Sequence, residues 1–178
     1  MYKEVIRGVG YVEKLLLENL KKYVENIGGV GTWKDILDEY RKDKIESPED
    51  LIKLLRLAAS HLNREYQFFL FTFGKWFVTI GAKDVFKRYI KDYVKFRDFM
   101  DSDNAKAFIS QTLPWHDGVI EIVKHSDTHY TIYYRSRLRL FSLIKGMYSG
   151  IAELMGVSVL VRHRAKGIEL TLIDIIVS

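Results

Sequence analysis

Residues 119–156 read VIEIVKHSDTHYTIYYRSRLRLFSLIKGMYSGIAELMG, and the hydrophobic period within them changes twice. The chain alternates from Val119 through Glu121 to Val123, turns at Ser126-Asp127, and alternates again at Tyr130, Ile132 and Tyr134. That is the pattern of a β-hairpin. From Leu138 to Met155 the apolar residues fall at helical spacing (Leu140, Phe141, Leu143, Ile144, Met147, Tyr148, Ile151 and Leu154), and Gly156 is the natural stop. A second hairpin follows, from Val157 to Val161 and from Ile168 to Val177, about a turn near Lys166-Gly167. The C-terminal part therefore reads ββαββ, its four strands making one antiparallel sheet with the helix across it.

Upstream the period is helical. Val9, Val12, Leu15, Leu16, Leu20, Tyr23 and Val24 spell a first helix that stops at Gly28-Gly29. Thr32 is placed to cap a short helix whose Trp33, Ile36, Leu37 and Tyr40 share a face. Ser47-Pro48-Glu49-Asp50 is a strong start signal: a capping serine, proline at the first helical position, then acids near the positive end of the helix dipole. That helix runs through Leu51, Leu54, Leu55, Ala58, Ala59 and Leu62 and breaks near Asn63. The stretch from Tyr66 to Ile80 is apolar nearly all round, which predicts a buried helix, packed on both sides or walling a ligand cavity. An amphipathic pattern continues from Lys83 to Ile109, with a break or new cap among Asp98, Asp101 and Asp103. The expected fold class is α+β: an N-terminal helical bundle followed by a ββαββ subdomain with a four-stranded antiparallel sheet. It is read as one domain over 1–178, mainly helical over 1–113 and ββαββ over 114–178.

The 178 residues are 48% hydrophobic and 13% aromatic, enough for a real core and against disorder. The absence of cysteine removes disulfides, thiolate catalysis, iron–sulfur clusters and Cys-ligated zinc together. The formal charge of +5 is spread as −2 over residues 1–50, +4 over 51–119 and +3 over 120–178. With no polybasic segment, the alternating Arg135, Arg137, Arg139 and Arg162, Arg164, Lys166 read as solvated faces, not a nucleic-acid surface. Glu13, Glu18 and Glu25 interrupt the N-terminal apolar runs, which argues against a signal peptide, and no apolar run approaches the roughly 18 residues of a membrane span. A cytoplasmic protein without membrane or nucleic-acid partners is expected. Gly28-Gly29-Val30-Gly31 lacks a phosphate-loop lysine, and no HExxH, GxSxG or kinase set occurs. The five histidines show no metal-binding spacing on a shared helix face. By elimination the chain reads as a binding or sensing module, not an enzyme.

Two features stand apart. Gly146 and Gly150 lie four apart on an apolar helix, where each costs roughly 1 kcal/mol relative to alanine. Either the helix packs closely on the sheet, or something flat or bulky approaches its backbone. Tyr134-Arg135-Ser136 places a phenol and a hydroxyl on one strand face just before that helix.

With these residues in order, the chain resembles the heme nitric oxide/oxygen binding (H-NOX) family, the sensor domain of soluble guanylate cyclase and of bacterial signalling proteins. The likeness covers nearly the whole chain. It runs from Met1-Tyr2 at the first helix through Trp33, Ile36 and Leu37 to Pro48-Glu49-Asp50-Leu51 and Leu57-Ala58-Ala59. Phe73-Gly74-Lys75-Trp76-Phe77 is similar to the family's Gly-aromatic helix and Phe99-Met100-Asp101 to its proximal helix. Gly146 and Gly150 match the paired glycines after its Tyr-x-Ser-x-Arg motif. The resemblance implies a heme cofactor, but two departures oppose it. The family's iron-binding histidine stands three residues after the proximal aspartate; Asn104 stands there here, and a neutral amide nitrogen has no basic lone pair to offer iron. His116 is the nearest substitute in sequence, and His61 is the only histidine inside a predicted helix. The motif keeps Tyr134 and Ser136 but has Leu138 in place of the propionate-binding arginine, and strand parity turns Arg137 and Arg139 to the other face.

Relatives in the wider superfamily, a vinyl reductase domain and a vesicle-tethering subunit with an acyl channel, imply that such a fold holds apolar ligands without iron. The resemblance thus implies a heme-independent sensor of a small apolar or carboxylated ligand, with pocket candidates Tyr134, Ser136, Phe73, Phe77, Asn104, Met100 and Gly146. No output domain is read, so a histidine kinase, cyclic-dinucleotide enzyme or chemoreceptor is expected to act in trans. The alternatives are a heme-binding nitric oxide/oxygen sensor with a non-standard axial ligand, and an interaction module that binds no ligand.

Overall fold

Glycine and local capping set the boundaries of the first helices. The computed structural model describes residues 11–41, 45, 47–111, 113, 120–136, 138–167 and 169–178. Helix α1 (Tyr11–Gly28) buries Leu16, Leu17, Leu20, Tyr23 and Val24. Gly29 and Gly31, at φ 89° and 103°, then make a turn that L side chains rarely follow. Helix α2 (Thr32–Tyr40) buries Trp33, Ile36, Leu37 and Tyr40, the face its spacing predicts. Thr32 is not its cap: Gly31 is, and the Thr32 hydroxyl donates back to the Gly28 carbonyl at 2.8 Å. Helix α3 (Pro48–His61) starts as expected, with Ser47 Oγ accepting the Asp50 N–H at 3.2 Å. Asn63, at φ 50°, follows its end. Helix α4 (Tyr66–Trp76) starts on a cap that the sequence pattern did not reveal. The Glu65 carboxylate accepts the N–H groups of Gln67 and Phe68 at 2.9 and 2.7 Å, and these bonds hold its carboxyl below the usual carboxylate range.

Helix α4 passes into a π-helical turn (Phe77–Gly81), in which the Ala82 N–H reaches the Phe77 carbonyl at 2.8 Å. Helices α5 (Lys83–Ile90), α6 (Phe96–Met100) and α7 (Asp103–Ser110) follow, the break near residue 100 falling between α6 and α7 as expected. The aromatic stretch is less enclosed than its composition predicts. Phe69, Leu70, Phe73, Phe77 and Val78 are fully buried, but Phe68 and Ile80 are 55% and 65% exposed.

Strands β1 (Ile120–Ser126), β2 (His129–Arg135), β3 (Val159–Ala165) and β4 (Leu170–Val177) form one antiparallel sheet in the order β1-β2-β4-β3. On its inner face Tyr130 lies opposite Ile175 and Ile132 opposite Ile173, all fully buried. On the outer face Thr131 donates to Asp174 Oδ1 at 2.7 Å. Helix α8 (Phe141–Leu154) lies between the sheet and α4, and Gly156 at φ 70° closes it. Among the described residues no helix is long and apolar enough to cross a membrane.

The paired glycines of α8 face α4, not the sheet. A Cβ on Gly146 would overlap the Phe71 carbonyl oxygen, and one on Gly150 would stand 2.8 Å from Val78 Cβ. Reciprocally, a Cβ on Gly74 of α4 would overlap the Leu143 carbonyl oxygen. The close approach is therefore helix backbone on helix backbone.

Gly146→Ala is expected to destabilise the fold by about 1–3 kcal/mol, because overpacking against a main-chain carbonyl exceeds the gain in helix propensity. Urea unfolding reads this as a lower midpoint at unchanged slope. A midpoint at or above the wild-type value contradicts the seam.

Candidate functional site

The site implied by the resemblance centres on residue 104, in the first turn of α7. Asn104 is half buried, and its Nδ2 donates to Tyr93 Oη at 3.2 Å and to the Tyr89 carbonyl at 3.4 Å. The amide thus ties α7 to the end of α5 and to the link that follows it. The Tyr89 hydroxyl in turn donates to Gln111 Oε1 at 2.8 Å.

From Tyr93 a chain of rings crosses the interior. Tyr93 meets Phe99 at 5.8 Å between centroids, Phe99 meets Phe108 at 5.9 Å, and Phe108 meets Phe86 at 6.2 Å. Phe86 then meets Phe77 at 5.2 Å and Phe77 meets Phe73 at 5.8 Å. The Phe77–Phe86 and Phe86–Phe108 pairs are edge-to-face at 82°, a geometry worth about 0.5–1.5 kcal/mol per pair beyond burial. Phe108 also packs edge-on against Tyr148 of α8 at 4.8 Å. The buried Tyr148 hydroxyl donates to the Ala105 carbonyl at 2.6 Å, and burial drives this phenol far above the usual tyrosine range.

The structure brings some of the expected residues together and separates others. Phe73 and Phe77 lie within the ring chain, Met100 is buried beside Phe99 in α6, and Asn104 joins the far end through Tyr93. Gly146 lies on the α4 side of α8. Tyr134 and Ser136 are both buried, as strand parity requires, although β2 ends at Arg135. Ser136 serves the local turn: its Oγ accepts the Leu138 N–H at 3.1 Å and its own N–H donates to the Glu169 carbonyl at 3.0 Å. His61 is remote from the rings. Its Nε2 lies 2.8 Å from Glu39 Oε2, tying the end of α3 to α2. His116 and Arg137 lie outside the described residues. Among the described residues no group of three or more His, Asp or Glu is arranged to hold a metal ion.

These positions test the cofactor that the resemblance implies. A flat macrocycle needs facing walls roughly 7 Å apart, one van der Waals contact on either side. Here α7 and α8 are joined directly by the Tyr148–Ala105 hydrogen bond, one residue beyond Asn104. The α4 backbone fills the glycine face. The residues present do not fit an iron-ligated heme clamped through its propionates. Sequence reasoning placed Tyr148 on the apolar face of its helix but missed its role. The available signal was its hydroxyl, which has to find a partner once buried.

The family described as Haem-NO-binding matches this chain over residues 14–163. In three dimensions the chain is similar to an H-NOX protein from S. oneidensis in the Fe(II)NO ligation state, with TM-score 0.75 and 16% identity over 92% of this chain and 98% of that one. It is also similar to the Fe(II) unliganded H-NOX protein from K. algicida (TM-score 0.75, 12% identity, 93% of this chain and 95% of that one). A point mutant of the T. tengcongensis H-NOX matches with TM-score 0.71 and 9% identity over 94% of this chain and 96% of that one. No match is found among curated proteins.

Tyr148→Phe is expected to cost about 1 kcal/mol in urea unfolding, the net worth of one buried hydrogen bond. The phenol's pKa is raised in the folded state, so its contribution is full below the ordinary value of 10.0 and is lost as pH rises through the folded value. Stability should therefore fall more gently above pH 10.0 in the Phe variant than in wild type. Equal slopes count against a buried Tyr148.

Proposed function

The chain belongs to the Haem-NO-binding (H-NOX) family, and on that premise we propose that it is a sensor domain that works without heme, binds a small apolar or carboxylated ligand and acts on a separate signalling protein. The observation that carries this reading is the direct bond between α7 and α8 beside Asn104, where the Tyr148 hydroxyl meets the Ala105 carbonyl at 2.6 Å. The amide nitrogen at 104 offers iron no basic lone pair, Leu138 offers a propionate no charge, and His61 is engaged by Glu39. We read residues 1–178 as one sensor domain with no catalytic role. Its partner would be drawn from the family's usual company: a histidine kinase, a cyclic-dinucleotide enzyme or a chemoreceptor.

Expression with added heme, followed by absorption spectroscopy and native mass spectrometry, tests the first element. The expected result is the apo mass without a stoichiometric Soret band; a stoichiometric band overturns the heme-free reading. Asn104→His alone is expected to leave the spectrum unchanged, because it restores a ligand without separating α7 from α8. A Soret band in that variant would mean that the missing histidine is the only obstacle.

A further inference from the structure

A cleft of about 410 Å³ opens between the start of α3, the first turn of α4 and the link from β2 to α8, away from the ring chain. Ile52 and Leu138 give it apolar sides, and its polar groups come from Glu49, Arg56, Tyr66, Gln67 and Arg139. Neither Tyr134 nor Ser136 is among its lining residues.

Three observations single it out. First, the Tyr66 hydroxyl and Gln67 Oε1 are buried and have no hydrogen-bond partner among the described residues, a costly state for either group. Second, the Arg56 guanidinium lies 4.7 Å over the Tyr66 ring, and the ion pairs among the described residues leave both Arg56 and Arg139 without a carboxylate partner. The nearby Glu65 forms no ion pair with either among the described residues; its oxygens accept the N–H groups of Gln67 and Phe68. Third, Arg139 sits at φ 52°, in the left-handed region that L residues avoid and that recurs at ligand clamps.

The chemistry of these groups is complementary. Two guanidinium forks and a phenol O–H suit a planar carboxylate. Burial pushes the Tyr66 phenol up to about 12 against the pull of Arg56, so it remains a donor at neutral pH. Gln67 Oε1 and the Glu49 carboxylate are acceptors, which favour a ligand with a donor of its own.

We propose that this cleft binds a small organic carboxylate bearing a hydroxyl or N–H group, its carboxylate held by Arg56, Arg139 and the Tyr66 hydroxyl. The proposal rests on the reading of the chain as a small-molecule sensor, and it puts the ligand outside the aromatic interior.

Isothermal titration calorimetry of the full chain with para-hydroxybenzoate tests it, alongside benzoate, para-hydroxybenzamide and inorganic phosphate. Saturable equimolar binding of para-hydroxybenzoate is expected, with weaker binding of benzoate and of phosphate and none of the uncharged amide. Arg139→Gln, at an exposed position, and Tyr66→Phe, which keeps the ring, should each weaken binding about tenfold, the usual worth of a charge-assisted hydrogen bond. The proposal is overturned if neither acid binds at millimolar concentration, if phosphate or the amide binds as tightly as para-hydroxybenzoate, or if both variants keep wild-type affinity. Affinity unchanged in both variants with no Soret band would remove the cleft and leave the heme-free sensor standing. A Soret band alongside the expected variant effects would do the reverse.

Discussion

The contact between α4 and α8 is the constraint from which the rest of the interior follows. Three glycines make it, Gly74 on one helix and Gly146 and Gly150 on the other, and each faces main-chain or β-carbon atoms of its partner. Every one of them lowers helix propensity by roughly 1 kcal/mol. What offsets the loss is the approach itself, which brings Cα–H groups onto carbonyl oxygens and packs backbone atoms that side chains ordinarily hold apart. Because α8 also crosses the inner face of the sheet, this seam joins the helical part to the ββαββ part.

Helical geometry carries the constraint further. Two residues along an α-helix correspond to a rotation of about 200°, so Tyr148 points nearly opposite to Gly146 and Gly150. With the glycines pressed on α4, the tyrosine is directed at α7, where its hydroxyl meets Ala105 and its ring meets Phe108. Helix α8 is thereby clamped from two sides at fixed depth. Any flat group between α7 and α8 would have to displace one clamp or the other.

The parts legible in the sequence are those with local causes. Both hairpin turns, the Ser47 cap, the Gly28 and Gly156 stops and the break near residue 100 follow from turn chemistry and period, although β3 spans Val159–Ala165 where the spacing predicts Val157 to Val161, and α8 starts at Phe141 and not at Leu138. Thr32 resembles a cap in sequence because a β-hydroxyl next to two glycines suits a cap and a helix-closing bond equally well, whereas φ 103° at Gly31 makes the glycine the cap. Glu65 escaped notice because glutamate is not a preferred cap residue, and the π-helical turn has no local signature. At the candidate site, Asn104 and Leu138 announced in one dimension that two anchors are missing. The glycines announced that something comes close, but only the fold says that it is another helix.

Fold and chemistry separate cleanly in this chain. At 9–16% identity the chain keeps the H-NOX fold, whereas the chemistry implied by resemblance depends on a few side chains that differ. On the proposed heme-free reading, the changes at 104 and 138 and the closure by Tyr148 and Phe108 are not independent. A slab-shaped void of several hundred Å³, at about 24 cal/mol per Å³, costs on the order of 10 kcal/mol, comparable to the whole stability of a domain. A protein that gave up the cofactor but kept the space for it would therefore scarcely fold. Loss of the iron ligand and aromatic filling of the interior have to accompany one another. Once the interior is filled, recognition of a small ligand falls to polar groups at the margins of the helices, where the Tyr66 hydroxyl is buried without a partner among the described residues and the exposed Arg56 and Arg139 guanidiniums are open to a ligand from solution.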